Sequence, residues 1–156
     1  MSGIDSIGIV YNPRTPDSAL LVQQLVEKLG LSDSSWIVPT SGLEDQSPPS
    51  STSLIITIGG DGTILRAASY INNLSIPIIG VNTGRLGFLA KIKVTKIDAA
   101  INAIINKKYE ISERTLVAIS STTKNGKTKK LGYALNEISI TRKNTTSLIV
   151  TVFCSI

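Results

Sequence analysis

Short apolar runs that alternate with helical patterns constrain the fold of this chain more than any other feature. The run at residues 54–58 is apolar except for one threonine and is mostly β-branched, as in a strand that is buried on both faces. Runs at 6–12, 36–39 and 76–82 have a similar character, and segments with helical spacing lie among them. Over residues 1–109 this alternation predicts an open, mostly parallel, Rossmann-like α/β domain.

Three helices are predicted within that domain. The first has Thr15 as a candidate N-cap and Gly30 as its C-cap. The second is predicted over residues 64–71, directly after a glycine-rich turn. The third is predicted to begin at Thr95, where Asp98 completes a capping box three residues later.

The pattern changes after residue 109. Strand-like runs follow at 111–123, 131–142 and 147–156, with no helical spacing between them. They predict the start of an all-β domain over residues 110–156. Because the last run is still apolar where it stops, we expect a longer natural chain.

The residue content excludes several classes of chemistry. The chain has no histidine and one cysteine, Cys154, which excludes Ser-His-Asp triads, His-bound zinc and a disulfide framework. Any reaction must therefore use carboxylates, amides, hydroxyls, Lys or Arg side chains, or backbone dipoles. Since the first residues lack a basic and apolar leader and no apolar run reaches membrane length, we expect a cytoplasmic protein without a membrane partner.

Charge is distributed unevenly along the chain. Residues 1–90 carry four basic and seven acidic side chains, whereas residues 91–156 carry twelve basic and four acidic ones. The densest basic segment, 124–130, has Asn125-Gly126 near its centre, which is a strong hairpin signal. A solvated hairpin tip is favoured over a nucleic-acid patch, because no aromatic side chain is interleaved with the lysines. We expect no nucleic-acid partner.

The segment Gly59-Gly60-Asp61-Gly62-Thr63 follows the strand predicted at 54–58. In parallel α/β sheets ligands bind beyond the carboxyl ends of the strands. Glycines there let the backbone approach a phosphate, and the next helix offers unpaired N–H groups. Asp61 is placed to accept a proton from a hydroxyl or to hold Mg²⁺ with nucleotide phosphates. A purely structural turn is the alternative, and the buried strand before the motif favours function.

This motif resembles one shared by NAD kinases, diacylglycerol- and sphingosine-type lipid kinases and, in variant form, phosphofructokinases. Two further segments narrow the resemblance to the NAD kinase family. Residues 80–89, GVNTGRLGFL, are similar to the family's NTGxLGF block, and Ala134-Leu135-Asn136-Glu137 matches its Asn-Glu motif. The three segments occur in the order found in the family, and P-loop and GxGxxG motifs are absent from the sequence.

The resemblance implies that Asp61 is the catalytic base for the 2′-hydroxyl of the adenosine ribose of NAD, which attacks the γ-phosphate of ATP. It implies that the nucleotides are bound by Gly60, Asp61, Gly62, Thr63, Arg66, Phe88, Asn136 and Glu137. From the residues alone, Arg66 is equally well a surface arginine and Phe88 a core residue. Asn136 and Glu137 also fit the exposed face of an edge strand.

The function implied by the resemblance is the conversion of NAD to NADP, with ATP or polyphosphate as the donor. A divalent metal, Mg²⁺, and a homodimer or homotetramer are implied as well, and no residue is assigned as a metal ligand. Because nothing matches the family's later segment, which is rich in glycine and threonine, we expect this chain to be inactive alone. Two alternatives stay open: a diacylglycerol-type lipid kinase, and a non-catalytic nucleotide-binding module.

Overall fold

The computed structural model describes residues 6–31, 33, 35–43, 48–71, 75–85 and 87–135. It confirms the α/β fold predicted for the first part of the chain. The elements in chain order are β1 (Ile7–Tyr11), α1 (Ser18–Leu29), β2 (Trp36–Pro39), β3 (Leu54–Gly59), α2 (Asp61–Tyr70), β4 (Ile78–Asn82), β5 (Ile92–Lys93) and α3 (Ile97–Ile105). The short edge strand β5 was not predicted.

The five strands form one parallel sheet in the order β2-β1-β3-β4-β5. From β1 the chain goes first to one side of the sheet, to β2, and then returns to the other side, to β3. The strand order therefore reverses between β1 and β3, and the connections that leave their carboxyl ends diverge. In open α/β sheets a crevice forms at this point, and ligands bind there.

Strand β3 is the centre of the core, because all six of its residues are buried. Ile56 and Ile58 face the cluster that contains α1 and α3, whereas Ile55 faces the cluster that contains Ala67 of α2. Apolar side chains therefore cover both faces of the strand, as the uninterrupted apolar run predicted. The turn that follows β3 begins from a rigid, fully packed strand.

Two helix starts differ from the prediction. Helix α1 begins at Ser18 rather than after Thr15, because Asp17 has a left-handed backbone (φ 59°) and closes a separate turn before the helix. The predicted C-cap Gly30 is confirmed, with φ 54°. Helix α2 begins at Asp61, three residues before the predicted start. Residues 61–63 of the glycine-rich motif thus belong to the first turn of the helix, whereas Gly59 ends β3 and Gly60 is the N-cap.

The predicted capping box of α3 is wrong. A short 3₁₀ turn, Val94–Lys96, precedes the helix, and no side chain caps it. Asp98 instead forms an exposed ion pair with Lys28 of α1. Asp98, which was expected to bond to the backbone at the start of its own helix, therefore connects α3 to α1.

An antiparallel hairpin follows residue 109, formed by β6 (Val117–Thr122) and β7 (Thr128–Ala134). Residues 111–116 are not part of a strand, so the predicted strand at 111–123 begins later than expected. The predicted hairpin turn is confirmed: Gly126 has φ 76°, and its N–H donates to the Thr123 carbonyl at 2.9 Å. The later predicted strands lie mostly or wholly outside the described residues. No helix in the described part of the chain is long and apolar enough to cross a membrane.

Candidate active site

The glycine-rich turn joins β3 to α2, and its glycines differ in what they contact. Gly59 has φ 156°, and a methyl group on it would overlap the hydroxyl of Thr63, whose side chain is buried. In contrast, a methyl group on Gly60 or Gly62 would meet no atom within 4 Å. Of the three glycines in this turn, the fold therefore requires only Gly59. The other two leave backbone open to solvent, which is the geometry that lets a ligand approach the main chain closely.

A cavity of about 300 Å³ lies at the carboxyl ends of β1 and β3, and we call it the β1/β3 cavity. It is lined by Asn12, Pro13, Arg14, Thr40, Ser41, Gly60, Gly62, Thr63 and Arg66. Four of these residues were predicted to bind nucleotide: Gly60, Gly62, Thr63 and Arg66. The last three lie on one side of α2, because Arg66 follows Gly62 by four residues and Thr63 by three, and Gly60 is the N-cap of the helix.

Sequence reasoning missed the residues that β1 and β2 contribute to this cavity. Arg14 lies just after β1, where its backbone N–H donates to the Asn12 side chain at 3.1 Å. Thr40 and Ser41 directly follow β2. The only signal in the sequence was the Asn12-Pro13 turn after a buried strand. Its relevance depends on the strand order, which places β1 beside β3.

The β1/β3 cavity is suited to an anion. Two arginines, Arg14 and Arg66, line it, and no carboxylate of the described residues lies within ion-pair distance of either. The first turn of α2 adds N–H groups and the positive end of a helix dipole. Phosphate groups match this combination of arginine and backbone donors.

Asp61 points away from this cavity toward the segment at residues 87–90, which we call the Phe88 loop. Its Oδ2 accepts a hydrogen bond from the N–H of Phe88 at 2.8 Å. Its Oδ1 accepts hydrogen bonds from Leu89 at 3.1 Å and from Ala90 at 2.9 Å. A methyl group on Gly87 would overlap the same carboxylate, so glycine is needed there for the close approach.

These hydrogen bonds lower the pKa of Asp61 below its ordinary value. The Ala90 N–H has the largest effect and those of Phe88 and Leu89 add to it, while partial burial acts in the opposite direction. Hydrogen bonds to the charged form favour that form. Asp61 is therefore an ionised and weakly basic carboxylate in this arrangement.

Asn82, the last residue of β4, forms hydrogen bonds with backbone groups before and at the end of the Phe88 loop. Its buried amide Nδ2 donates to the carbonyls of Arg85 at 2.9 Å and Ala90 at 3.1 Å. Its Oδ1 accepts from the N–H of Gly84 at 2.8 Å. Sequence reasoning did not assign this role to Asn82, although the residue belongs to the block at 80–89.

The remaining predicted residues differ in how far the structure describes them. Phe88 is 90% exposed, so the alternative of a core phenylalanine is wrong. Asn136 and Glu137 lie outside the described residues. Strand β7, which ends at Ala134, passes beside α2. Among the described residues, no group of three or more His, Cys, Asp or Glu side chains is arranged to hold a metal ion.

Comparisons with known proteins agree on one family. The model of the ATP-NAD kinase N-terminal domain matches residues 40–109. The NAD kinase of Flavobacterium johnsoniae is 48% identical over 96 residues, which are 62% of this chain and 33% of that protein. The NAD kinase of Mycobacterium tuberculosis is 38% identical over 96 residues, which are 62% of this chain and 31% of that protein. The chain thus spans about a third of the length of these relatives.

The fold has a matching solved structure as well. The crystal structure of yeast NADH kinase complexed with NADH superposes with a TM-score of 0.65, covering 87% of this chain and 48% of the yeast chain. The two sequences are 19% identical. At this level the likeness shows a shared fold.

Proposed function

We propose that this chain, which belongs over residues 40–109 to the NAD kinase family, is part of an enzyme that phosphorylates NAD with ATP. The product is NADP, phosphorylated on the 2′-hydroxyl of the adenosine ribose. One observation carries the proposal. The first turn of α2 presents its open glycines to an arginine-lined cavity and its single carboxylate, Asp61, to the Phe88 loop. A phosphate donor and a hydroxyl acceptor therefore have separate places on either side of one turn.

The phosphates of the donor are proposed to occupy the β1/β3 cavity. Gly60 and Gly62 supply backbone donors there, and Thr63, whose own N–H donates to the Gly60 carbonyl at 3.0 Å, lies beside them. Arg14 and Arg66 neutralise charge on the phosphate chain. These groups recognise phosphates rather than a base. They are compatible with ATP and with inorganic polyphosphate alike.

The adenosine ribose of NAD is proposed to lie beside Asp61. A carboxylate has about four lone-pair positions, and three of those on Asp61 are filled by the Phe88 loop. One position on Oδ2 is left for the ribose hydroxyl. Phe88 is proposed as an apolar wall for a base. Asn136 and Glu137 are proposed to bind ribose hydroxyls, a role supported by the family motif and by the passage of β7 beside α2.

The lowered pKa of Asp61 fits the chemistry of phosphoryl transfer. The transition state is loose, so the hydroxyl keeps its proton until the new O–P bond is well advanced. The ribose oxygen then bonds to the γ-phosphorus, the bond from that phosphorus to the β-γ bridging oxygen breaks, and ADP leaves. Asp61 orients the hydroxyl and accepts its proton late, which a weakly basic carboxylate is able to do.

A divalent metal fits this site only in company with the donor. Mg²⁺ in such enzymes is bound by one or two carboxylates together with substrate phosphates and water. The described residues supply Asp61 and no cluster of further acidic ligands. When bound, the metal would neutralise charge on the phosphates. Phosphate oxygens and water would hold it, because Asp61 faces the Phe88 loop and its one remaining acceptor position is assigned to the ribose hydroxyl.

The proposal is tested with the full-length gene product that carries this sequence. NADP formation from NAD, ATP and Mg²⁺ is followed with an NADP-dependent dehydrogenase. Replacing Asp61 with Asn should lower kcat by about 10²- to 10⁴-fold, the range for loss of a general base. Asp98→Asn is the matched control, because Asp98 is also an aspartate in the first turn of a helix, and it should keep full activity.

The outcomes separate the alternatives. If the wild-type protein forms no NADP with either ATP or polyphosphate, the proposal is refuted. Accumulation of phosphorylated diacylglycerol would identify a lipid kinase, and NAD binding without turnover would identify a binding module. The homodimer or homotetramer, expected from the resemblance, and the cytoplasmic location, expected from the short apolar runs and the first residues of the sequence, stay predictions. Light scattering of the purified protein tests the first.

A further inference from the structure

We propose that Asp61 is also the residue that positions the Phe88 loop, and that this anchoring sets the affinity for the dinucleotide. The first half of the proposal rests on contacts within the chain. The second half rests on the proposed function. The role goes beyond proton transfer, because it is exerted before any donor is bound.

Three consecutive backbone N–H groups, those of Phe88, Leu89 and Ala90, converge on the one carboxylate. Successive N–H groups that point into one concavity form an anion-binding nest. Here the anion is a side chain of the same protein. The donors and Asp61 are 27 to 29 residues apart in sequence, so these hydrogen bonds join the turn after β3 to the chain that follows β4.

Other groups hold the neighbouring residues of the connection that follows β4. Asn82 binds it at Gly84, Arg85 and the Ala90 carbonyl, and Ala90 is fully buried. Phe88 has no such support, because its side chain is 90% exposed. The hydrogen bond from its N–H to Asp61 is therefore the contact that fixes the backbone from which its ring projects.

Gly87 provides an independent test of the same contact. A methyl group at Gly87 would overlap the Asp61 carboxylate, whereas one at Gly84 would meet no atom within 4 Å. Gly87→Ala should push the Phe88 loop off Asp61 while leaving the carboxylate intact. Gly84→Ala is a matched control in the same connection.

The first experiment measures amide hydrogen exchange of the full chain without nucleotide. In Asp61→Ala, which removes both carboxylate oxygens, the amides of Phe88 and Leu89 should exchange at least about tenfold faster, as expected on loss of a hydrogen bond to a charged acceptor. The Gly84 amide, which is bonded to Asn82, should keep its rate, and Asp98→Asn should change none of them. Unchanged exchange at Phe88 and Leu89 would overturn the anchoring role.

The second experiment measures NAD binding by calorimetry with no donor present, so that proton transfer plays no part. Asp61→Asn and Gly87→Ala should each raise the Kd of NAD by about tenfold, and the double variant should raise it little further, because both break one contact. Gly84→Ala should bind as the wild type does. If Asp61→Asn abolishes turnover and leaves the Kd unchanged, the link between the anchor and affinity is wrong. If the wild type binds no NAD, the proposed function fails, while the exchange result still decides the anchoring role.

Discussion

The two adjacent glycines of the turn should differ in how much stability the fold loses when each is replaced by alanine. Gly59 has φ 156°, in a region that only glycine adopts readily, and a methyl group there would overlap the Thr63 hydroxyl. Gly60 has an ordinary extended backbone, with φ −99° and ψ −168°, and open space around it. We therefore expect Gly59→Ala to destabilise the fold strongly and Gly60→Ala to leave it almost unchanged.

The size of the effect at Gly59 follows from two costs. A non-glycine residue in a sparsely populated backbone region costs about 1–3 kcal/mol. Forcing a methyl group against the side chain of Thr63, which is 4% exposed, costs about another 1–3 kcal/mol through overpacking. The total, roughly 2–6 kcal/mol, is a large share of the roughly 5–15 kcal/mol that stabilises a typical domain.

The assay is urea unfolding of the wild type and the two variants, followed by circular dichroism. Gly59→Ala should lower the midpoint without changing the slope, and Gly60→Ala should stay within about 0.5–1 kcal/mol of the wild type. The reasoning is refuted if the two variants lose equal stability, or if Gly59→Ala loses less than about 1 kcal/mol. A loss of nucleotide binding in a stable Gly60→Ala variant would show that this glycine serves the ligand.

Three further predictions concern side chains. Asn82→Ala should lower the free energy of unfolding by about 1–3 kcal/mol, measured by urea unfolding, because the Arg85 and Ala90 carbonyls lose their bonds to its amide; no loss would contradict the bracing role. Because the pKa of Asp61 is lowered in the fold, its stabilisation is present above its unfolded pKa of about 3.9. That stabilisation is lost as the pH falls through the lower folded pKa. The free energy of unfolding of Asp61→Asn should therefore fall less steeply over this pH range than that of the wild type. Parallel curves for the two proteins would contradict the assignment of this loss to Asp61. The exposed ion pair of Lys28 with Asp98 should contribute at most about 1 kcal/mol and fade with salt, which a double-mutant cycle in urea at two ionic strengths measures.

The four longer strands of the parallel sheet were predictable because their signal is local. Residues 54–58 are uninterruptedly apolar, and β3 is buried on both faces. The helix starts were less predictable, because caps depend on competition between neighbouring and distant partners. Asp98 satisfied a capping pattern in sequence, yet it pairs with Lys28, which lies 70 residues away.

For the candidate site, the residues of the glycine-rich motif were predicted, whereas those that follow β1 and β2 were not. Gly60, Gly62, Thr63 and Arg66, which the family resemblance assigned to the nucleotides, line the β1/β3 cavity as a group. Arg14 joins them only through the strand order. The partners of Asp61 were not readable at all, because they are backbone N–H groups, which every residue but proline carries.

The division of the first turn of α2 between two sides explains how one short motif would serve the proposed donor and the proposed acceptor together. Successive residues of a helix are rotated by about 100°, so Asp61 necessarily points away from the direction shared by Gly62 and Arg66. The donor side is thereby lined with positive charge, and the acceptor side holds one carboxylate fixed by the Phe88 loop. A carboxylate facing the cavity would repel the phosphates. Asp61 precedes Gly62 by one residue, so its carboxylate points toward the Phe88 loop. The proposed ribose hydroxyl would reach it from that side.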